Sequence, residues 1–202
     1  MRRAGRKAND MTPSFKVFPG LLDPAELKRV RTRLRIHFNR VGYFPKQSGI
    51  PLGRDALVYL FTSVFRLEIV ASLELGRNCP ISHTHSSYRC QPPTKFRSLA
   101  PHQDSAALKG TEGLTFWVPL SPINRLRPTI AFHDKRPGTV LPHIQDDAQY
   151  AVLADPRVAL TPLYGLAIGD VVMLYHDTIH ATHIPRTAVF YRESLDLRAI
   201  PQ

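Results

Sequence analysis

Four side chains restrict what this sequence can fold into more than any other feature. His102 and Asp104 stand one residue apart in Pro101-His102-Gln103-Asp104-Ser105. His180 follows ten residues after Gly169-Asp170, and Arg192 lies twelve residues beyond His180. On extended backbone, residues i and i+2 face the same side, so His102 and Asp104 can offer an imidazole nitrogen and a carboxylate oxygen to one point in space. A third ligand must come from a distant segment. His180 supplies it if Val171-Val172-Met173-Leu174-Tyr175 is a strand entering the same core. The fold must then carry two remote segments to one site, which a closed arrangement of strands does readily. His183 competes for the third position, but the interval from Asp170 favours His180.

Two imidazoles and one carboxylate on one face of a metal leave the opposite positions open. That geometry suits non-haem Fe(II), which needs room for O2 and an organic co-substrate. Arg192 lies in the strand-like run Val189-Phe190-Tyr191-Arg192-Glu193-Ser194-Leu195-Asp196-Leu197. Alternation puts it on one face, where a guanidinium fork can grip a carboxylate at two points. His83 and His85 also have ligand spacing, but no carboxylate accompanies them. They, or Arg89, are expected to line a cavity instead, and Lys95 sits where it could reach an anionic group. His133, His143 and His176 read as surface or loop histidines.

The remaining text of the chain is that of a mainly β fold with flanking helices. Asp23-Pro24-Ala25-Glu26 combines an N-cap, a proline suited to the first turn and an acid that can satisfy free N–H groups. Leu27, Val30, Leu34 and Phe38 follow as an apolar stripe, with Lys28, Arg29, Arg31, Arg33 and Arg35 on the other faces. A second helix is expected between Asp55 and Leu75, using Leu57, Leu60, Phe61, Val64, Phe65 and Ile69 and stopping at Gly76. From Cys79 the pattern changes to strands, with Ile81, His83, His85, Ser87 and Arg89 on one face. Residues 41–53, rich in Gly and Pro, read as a loop. Leu114-Thr115-Phe116-Trp117-Val118-Pro119-Leu120 reads as a core strand, and a short helix is expected around Asp146–Tyr150. Short β runs with Pro and Gly breaks, preceded by helices, indicate a double-stranded β-helix, or jelly-roll, with helices on one sheet.

Composition bounds the function. With 202 residues and 43% apolar content, one domain is sufficient; residues 1–12 are expected to be a disordered basic N-terminus and 13–202 a single domain. Twenty-seven Lys and Arg against sixteen acids give a net charge of +11, which permits nucleic acid or an acidic partner. The basic residues do not form long runs, and no base-reading motif accompanies them, so nucleic acid is not the expected substrate. Cys79 and Cys90 form no CxxC pair, which suits a reducing cytoplasm. The apolar runs are too short for a membrane span.

Pro101-His102-Gln103-Asp104-Ser105, Phe116-Trp117-Val118-Pro119-Leu120, Gly169-Asp170 with His180, and Arg192-Glu193-Ser194-Leu195-Asp196-Leu197-Arg198 occur in an order and spacing that resemble those of a known family. The chain looks like a phytanoyl-CoA-hydroxylase-like member of the Fe(II)- and 2-oxoglutarate-dependent dioxygenases. The resemblance implies that His102, Asp104 and His180 bind iron. It implies that Arg192, helped by Thr182, holds the distal carboxylate of 2-oxoglutarate. A small-molecule substrate would then be hydroxylated at the expense of O2, with release of succinate and CO2. Arg89, Lys95 and Trp117 are candidates for the substrate pocket. Two other readings make different predictions. A cupin-like metal protein using no oxo acid would leave Arg192 structural, whereas a basic nucleic-acid-binding module would show salt-steep binding and no metal dependence.

Overall fold

The computed structural model describes residues 13–40, 49–52, 54, 57, 59–95, 98–108, 112–146 and 150–202. Residues 1–12, most of the 41–53 loop and much of the expected 146–150 helix therefore lie outside the described residues. Asp146 and Tyr150 close the hairpin that flanks this last segment: Asp146 N–H donates to the Tyr150 carbonyl at 2.9 Å, and Tyr150 N–H to Asp146 Oδ1 at 2.8 Å.

The expected double-stranded β-helix is present. Its larger sheet has six strands in the order β1-β9-β4-β11-β3-β2. These are β1 (Phe15–Phe18), β2 (Gly49–Pro51), β3 (Ser87–Gln91), β4 (Leu114–Pro119), β9 (Val171–Tyr175) and β11 (Arg192–Ala199). The smaller sheet has the order β10-β5-β8, from β5 (Thr129–Phe132), β8 (Thr161–Pro162) and β10 (His180–His183). His102 extends this sheet by exchanging both backbone hydrogen bonds with His180, each 3.0 Å. A hairpin of β6 (His143–Gln145) and β7 (Ala151–Leu153) stands beside the two sheets in sequence order.

Strand alternation divides the larger sheet into two faces with different chemistry. Tyr88, Cys90, Phe116, Val118, Val171, Met173, Leu195 and Leu197 point to one side and pack with the helices in the main apolar core. Trp117, Val172 and Leu174 point to the other, where they meet Ile130 and Phe132 of the smaller sheet. On β3 and β11 the inward positions are polar: Ser87, Arg89 and Gln91 face Asp196, Ser194 and Arg192 in register. The space between the sheets is thus apolar along β4 and β9 and polar along β3 and β11.

Among the described residues, two long helices cover the outer face. Helix α1 (Pro24–Arg40) starts as its sequence predicts, with Asp23 Oδ1 accepting from Ala25 N–H at 2.8 Å, and buries Leu27, Val30 and Leu34. Glu26 does not turn back to the helix start; it accepts a hydrogen bond from Ser63 Oγ of the neighbouring helix at 2.7 Å. Arg31 and Arg35 are not simply solvated. Both reach across to Glu193 of β11, which also accepts from Tyr88 Oη at 2.8 Å. Helix α2 (Phe61–Leu75) ends at Gly76, whose φ of 66° is the left-handed stop expected there. Its buried stripe is Leu60, Leu67 and Ala71, while Phe65 and Ile69 are exposed. The run is apolar on several faces, so periodicity alone did not fix which face would be covered.

The strand expected from Ile81 is shorter than its alternation suggested. Residues 82–86 form a turn in which the Ser82 carbonyl accepts from both Ser86 N–H and Ser86 Oγ, at 3.1 and 2.6 Å. The serines offer the backbone a local partner, so pairing breaks off after the isolated Ile81–Ala199 bridge and resumes as a strand at Ser87. The last strand likewise starts at Arg192, with Val189, Phe190 and Tyr191 exposed before it.

Candidate metal centre and oxo-acid pocket

His102, Asp104 and His180 converge. One ligand atom from each lies within 4.8 Å of the others, and all three residues are buried. His102 sits on extended backbone and Gln103 continues it (φ −122°, ψ 134°), but Asp104 is already the first residue of the short helix α3 (Asp104–Ala107). The i, i+2 relation still points both side chains to one side, because the change of conformation comes after the extended pair of steps. His183 lies three residues from His180 on the opposite face, edge-on to Tyr164 at 6.2 Å.

Each imidazole is oriented by the backbone. His102 Nδ1 lies 2.8 Å from the Ala100 carbonyl and His180 Nδ1 lies 3.0 Å from that of Thr178. A carbonyl only accepts, so both Nδ1 atoms carry the proton and both Nε2 lone pairs are free for a metal. The rings stand 4.2 Å apart, tilted by 51°. Burial, together with the nearby His180, pushes the His102 imidazole down to about 3, keeping it neutral. Burial alone would raise the Asp104 carboxyl, but Arg198 foremost, with the two imidazoles, holds it well below the usual carboxylate range. Two imidazole nitrogens and one carboxylate oxygen are a donor set that fits ferrous iron and leaves positions open.

Arg192 is 3% exposed and its guanidinium lies 5.5 Å from the centre of the Trp117 ring. Its terminal nitrogen donates to the Thr129 carbonyl at 3.3 Å, while Nε is buried without a partner. Thr129 adjoins Ile130, the register partner of Thr182, so Arg192 reaches the same wall that carries His180 and Thr182. Arg89 is bonded to Asp196, and Arg198 to Asp104. Among the described residues, Arg192 has no carboxylate at ion-pair distance. Burial pushes its guanidinium down to about 10, with Asp196 opposing, so it remains a cation at neutral pH. Other unpartnered buried polar atoms lie at the inward positions of β3 and β11 in the larger sheet: Oγ of Ser87 and Ser194, Asp196 Oδ1 and Arg198 Nε. Together with the Arg192 guanidinium, these atoms leave hydrogen-bonding capacity unused between the sheets.

The other sequence candidates occupy different settings. Thr182 Oγ1 accepts from Leu99 N–H at 3.3 Å and shares the inward face with His180. Trp117 is buried against the smaller sheet beneath Arg192, and Lys95 is exposed on the segment leading to His102. His83 and His85 occupy the 82–86 turn, with His85 Nδ1 2.8 Å from Ser82 Oγ. His176, expected at the surface, is instead 2% exposed; it packs so closely on Gly113 that an added Cβ would lie 2.5 Å from its Cε1. Sequence reasoning assigned no role to Thr115 or Arg198, yet both bond Asp104. Thr115 Oγ1 donates to Oδ2 at 2.5 Å and Arg198 to Oδ1 at 2.7 Å. The available signal was the six-residue interval from Arg192, which places Arg198 on the same inward face.

Neither a family model nor a curated protein sequence matches the chain. Solved structures do. EvdO2 from Micromonospora carbonacea var. aurantiaca, complexed with 2-oxoglutarate, superposes with a TM-score of 0.70 at 18% identity over 100% of this chain and 94% of its own. The epimerase SnoN, in complex with Fe3+, alpha ketoglutarate and nogalamycin RO, gives 0.68 at 18% over 94% and 79%. EctD from S. alaskensis, with 2-oxoglutarate and 5-hydroxyectoine, gives 0.69 at 14% over 97% and 79%. At these identities the shared property is the fold. No helix among the described residues is long and apolar enough to cross a membrane.

Proposed function

We propose that this chain is a non-haem Fe(II)- and 2-oxoglutarate-dependent oxygenase of the phytanoyl-CoA-hydroxylase-like kind, hydroxylating a small molecule. The observation that carries this reading is Arg192, a buried cation with an unpartnered Nε, on the wall facing His180 and Thr182. A metal triad alone would equally suit a cupin-like protein. A fixed guanidinium awaiting a carboxylate beside that triad favours an oxo-acid co-substrate, and structures of the same fold hold 2-oxoglutarate or alpha ketoglutarate.

His102 and His180 would hold the iron through Nε2 and Asp104 through Oδ1, the oxygen 4.0 Å from His102 Nε2. Iron held there would supply, with O2 and 2-oxoglutarate, the oxidising chemistry, with succinate and CO2 as co-products. Arg192 and Thr182 bind the far carboxylate and so fix which end of the acid faces the metal. Trp117 excludes water beneath Arg192, where a dry environment strengthens the ion pair. Arg89 and Lys95 are assigned to the substrate side. Residues 13–202 would act as one oxygenase domain, and the two buried free thiols, Cys79 and Cys90, suit the cytoplasm.

Anaerobic addition of Fe(II) and then 2-oxoglutarate tests this reading. A weak visible charge-transfer band is expected in the parent, absent in Asp104→Ala and weakened in Arg192→Ala. Metal binding with no band in the parent would instead favour the cupin-like alternative.

A further inference from the structure

Arg198 enters neither the metal triad nor the oxo-acid clamp. It lies on the inward face of β11 opposite Thr115, with its side chain 14% exposed. One terminal nitrogen donates to Asp104 Oδ1 at 2.7 Å and the other to the His85 carbonyl at 2.8 Å. Its own N–H donates to Ser86 Oγ at 3.1 Å, and its carbonyl accepts from Ser82 N–H at 2.8 Å. The 82–86 turn therefore grips both the backbone and the guanidinium of Arg198, and the guanidinium grips the carboxylate.

We infer that Arg198 is a positioning residue that keeps Asp104 a one-oxygen metal ligand and so preserves the open coordination positions. The inference rests on the oxygenase reading above. Oδ1 is the oxygen that approaches His102 Nε2, and Arg198 holds that atom; Thr115 holds Oδ2 from the other side. A carboxylate tethered at both oxygens cannot swing to chelate a metal with both. The metal then keeps three protein ligands on one face. A buried ion pair serving stability alone would not need to meet the metal-facing oxygen, nor to be braced by a turn from another strand connection.

Co(II), which gives visible ligand-field bands sensitive to coordination number, is a suitable probe of the full chain without co-substrate. Binding is measured for the parent, Arg198→Gln and Arg198→Lys, with circular dichroism confirming folding at the assay temperature. Loss of an outer hydrogen-bond partner of a metal ligand typically weakens binding about 10- to 100-fold. Arg198→Gln is expected to fall in that range with altered Co(II) bands, and Arg198→Lys, which keeps the charge but not the brace to His85, to lie between it and the parent. Folded variants whose Co(II) affinity and bands equal the parent's would overturn the inference while leaving the oxygenase reading intact. Should Arg198→Gln fail to fold, Arg198→Lys decides: a weaker, spectrally shifted site supports the role and an unchanged one refutes it. Failure of the parent to bind Co(II) would sink the metal-site reading and this inference together.

Discussion

Replacing Arg192 by Met should separate co-substrate binding from metal binding. The guanidinium is 3% exposed, has Nε unpartnered and makes one long bond to the Thr129 carbonyl. In the proposed clamp this Nε and the remaining guanidinium N–H groups would meet the guest. A carboxylate bound there gains a charge-assisted contact in a water-poor site, worth about 2–4 kcal/mol. At about 1.4 kcal/mol per decade, the dissociation constant for 2-oxoglutarate should rise about 30- to 700-fold. Metal affinity should change little, since Arg192 bonds none of the three ligands. The apoprotein should also not be weakened by the loss of an ionic partner, because the variant removes a desolvated cation that has no carboxylate at ion-pair distance. The assay is calorimetric titration of 2-oxoglutarate into Mn(II)-loaded parent and variant without O2, with urea unfolding of both apoproteins alongside. A dissociation constant within about threefold of the parent's would refute the clamp.

Three further outcomes follow from the packing and the charges. In the metal-free protein the folded His102 imidazole titrates near 3 and an unfolded one near 6.5, so the unfolded chain binds the extra proton first as pH falls. Stability should therefore drop by roughly 2–3 kcal/mol between pH 6.5 and 4.5 by urea midpoints, and His102→Gln should remove most of that slope; a slope unchanged in the variant contradicts the assignment. Glu193, held low by Arg35, Arg31 and Tyr88 against the cost of its burial, ties α1 to the strand that carries Arg192. Glu193→Gln should cost about 2 kcal/mol, less than a fully buried pair because Arg35 is half exposed, and a loss under about 0.5 kcal/mol would show the network is ornamental to stability. Gly113→Ala would place a Cβ 2.6 Å from the Ala199 carbonyl as well as against His176, so a loss of about 1–3 kcal/mol is expected in thermal unfolding, with an unchanged midpoint contradicting the tight contact.

The convergence of the candidate ligands was legible because it is written in spacing. His102, Asp104 and His180 could be picked out since an extended step and a following strand leave few ways to bring them together. β9 matched Val171–Tyr175 residue for residue because a run of apolar residues buried on both faces has few other uses. Helix starts and stops were equally readable at Asp23 and Gly76, where local hydrogen bonding and a left-handed φ decide the matter. What escaped were properties set by partners distant in sequence. The exposed Phe65 and Ile69 depend on which face α2 turns to the sheet. The bonds from Arg31 and Arg35 to Glu193 depend on α1 crossing β11, and the burial of His176 on its meeting Gly113. The 82–86 turn was misread because alternation of polar residues looks the same whether the backbone pairs with another strand or with its own serines.

The central claim is that one cavity holds a metal on His102, Asp104 and His180 and an oxo acid on Arg192. A crystal grown without O2 in the presence of Mn(II) and 2-oxoglutarate measures this directly. The account predicts metal density bonded to both Nε2 atoms and to Asp104 Oδ1, with the acid spanning from the metal to the Arg192 guanidinium. Metal bound elsewhere, or an acid whose far carboxylate lies away from Arg192, would contradict it.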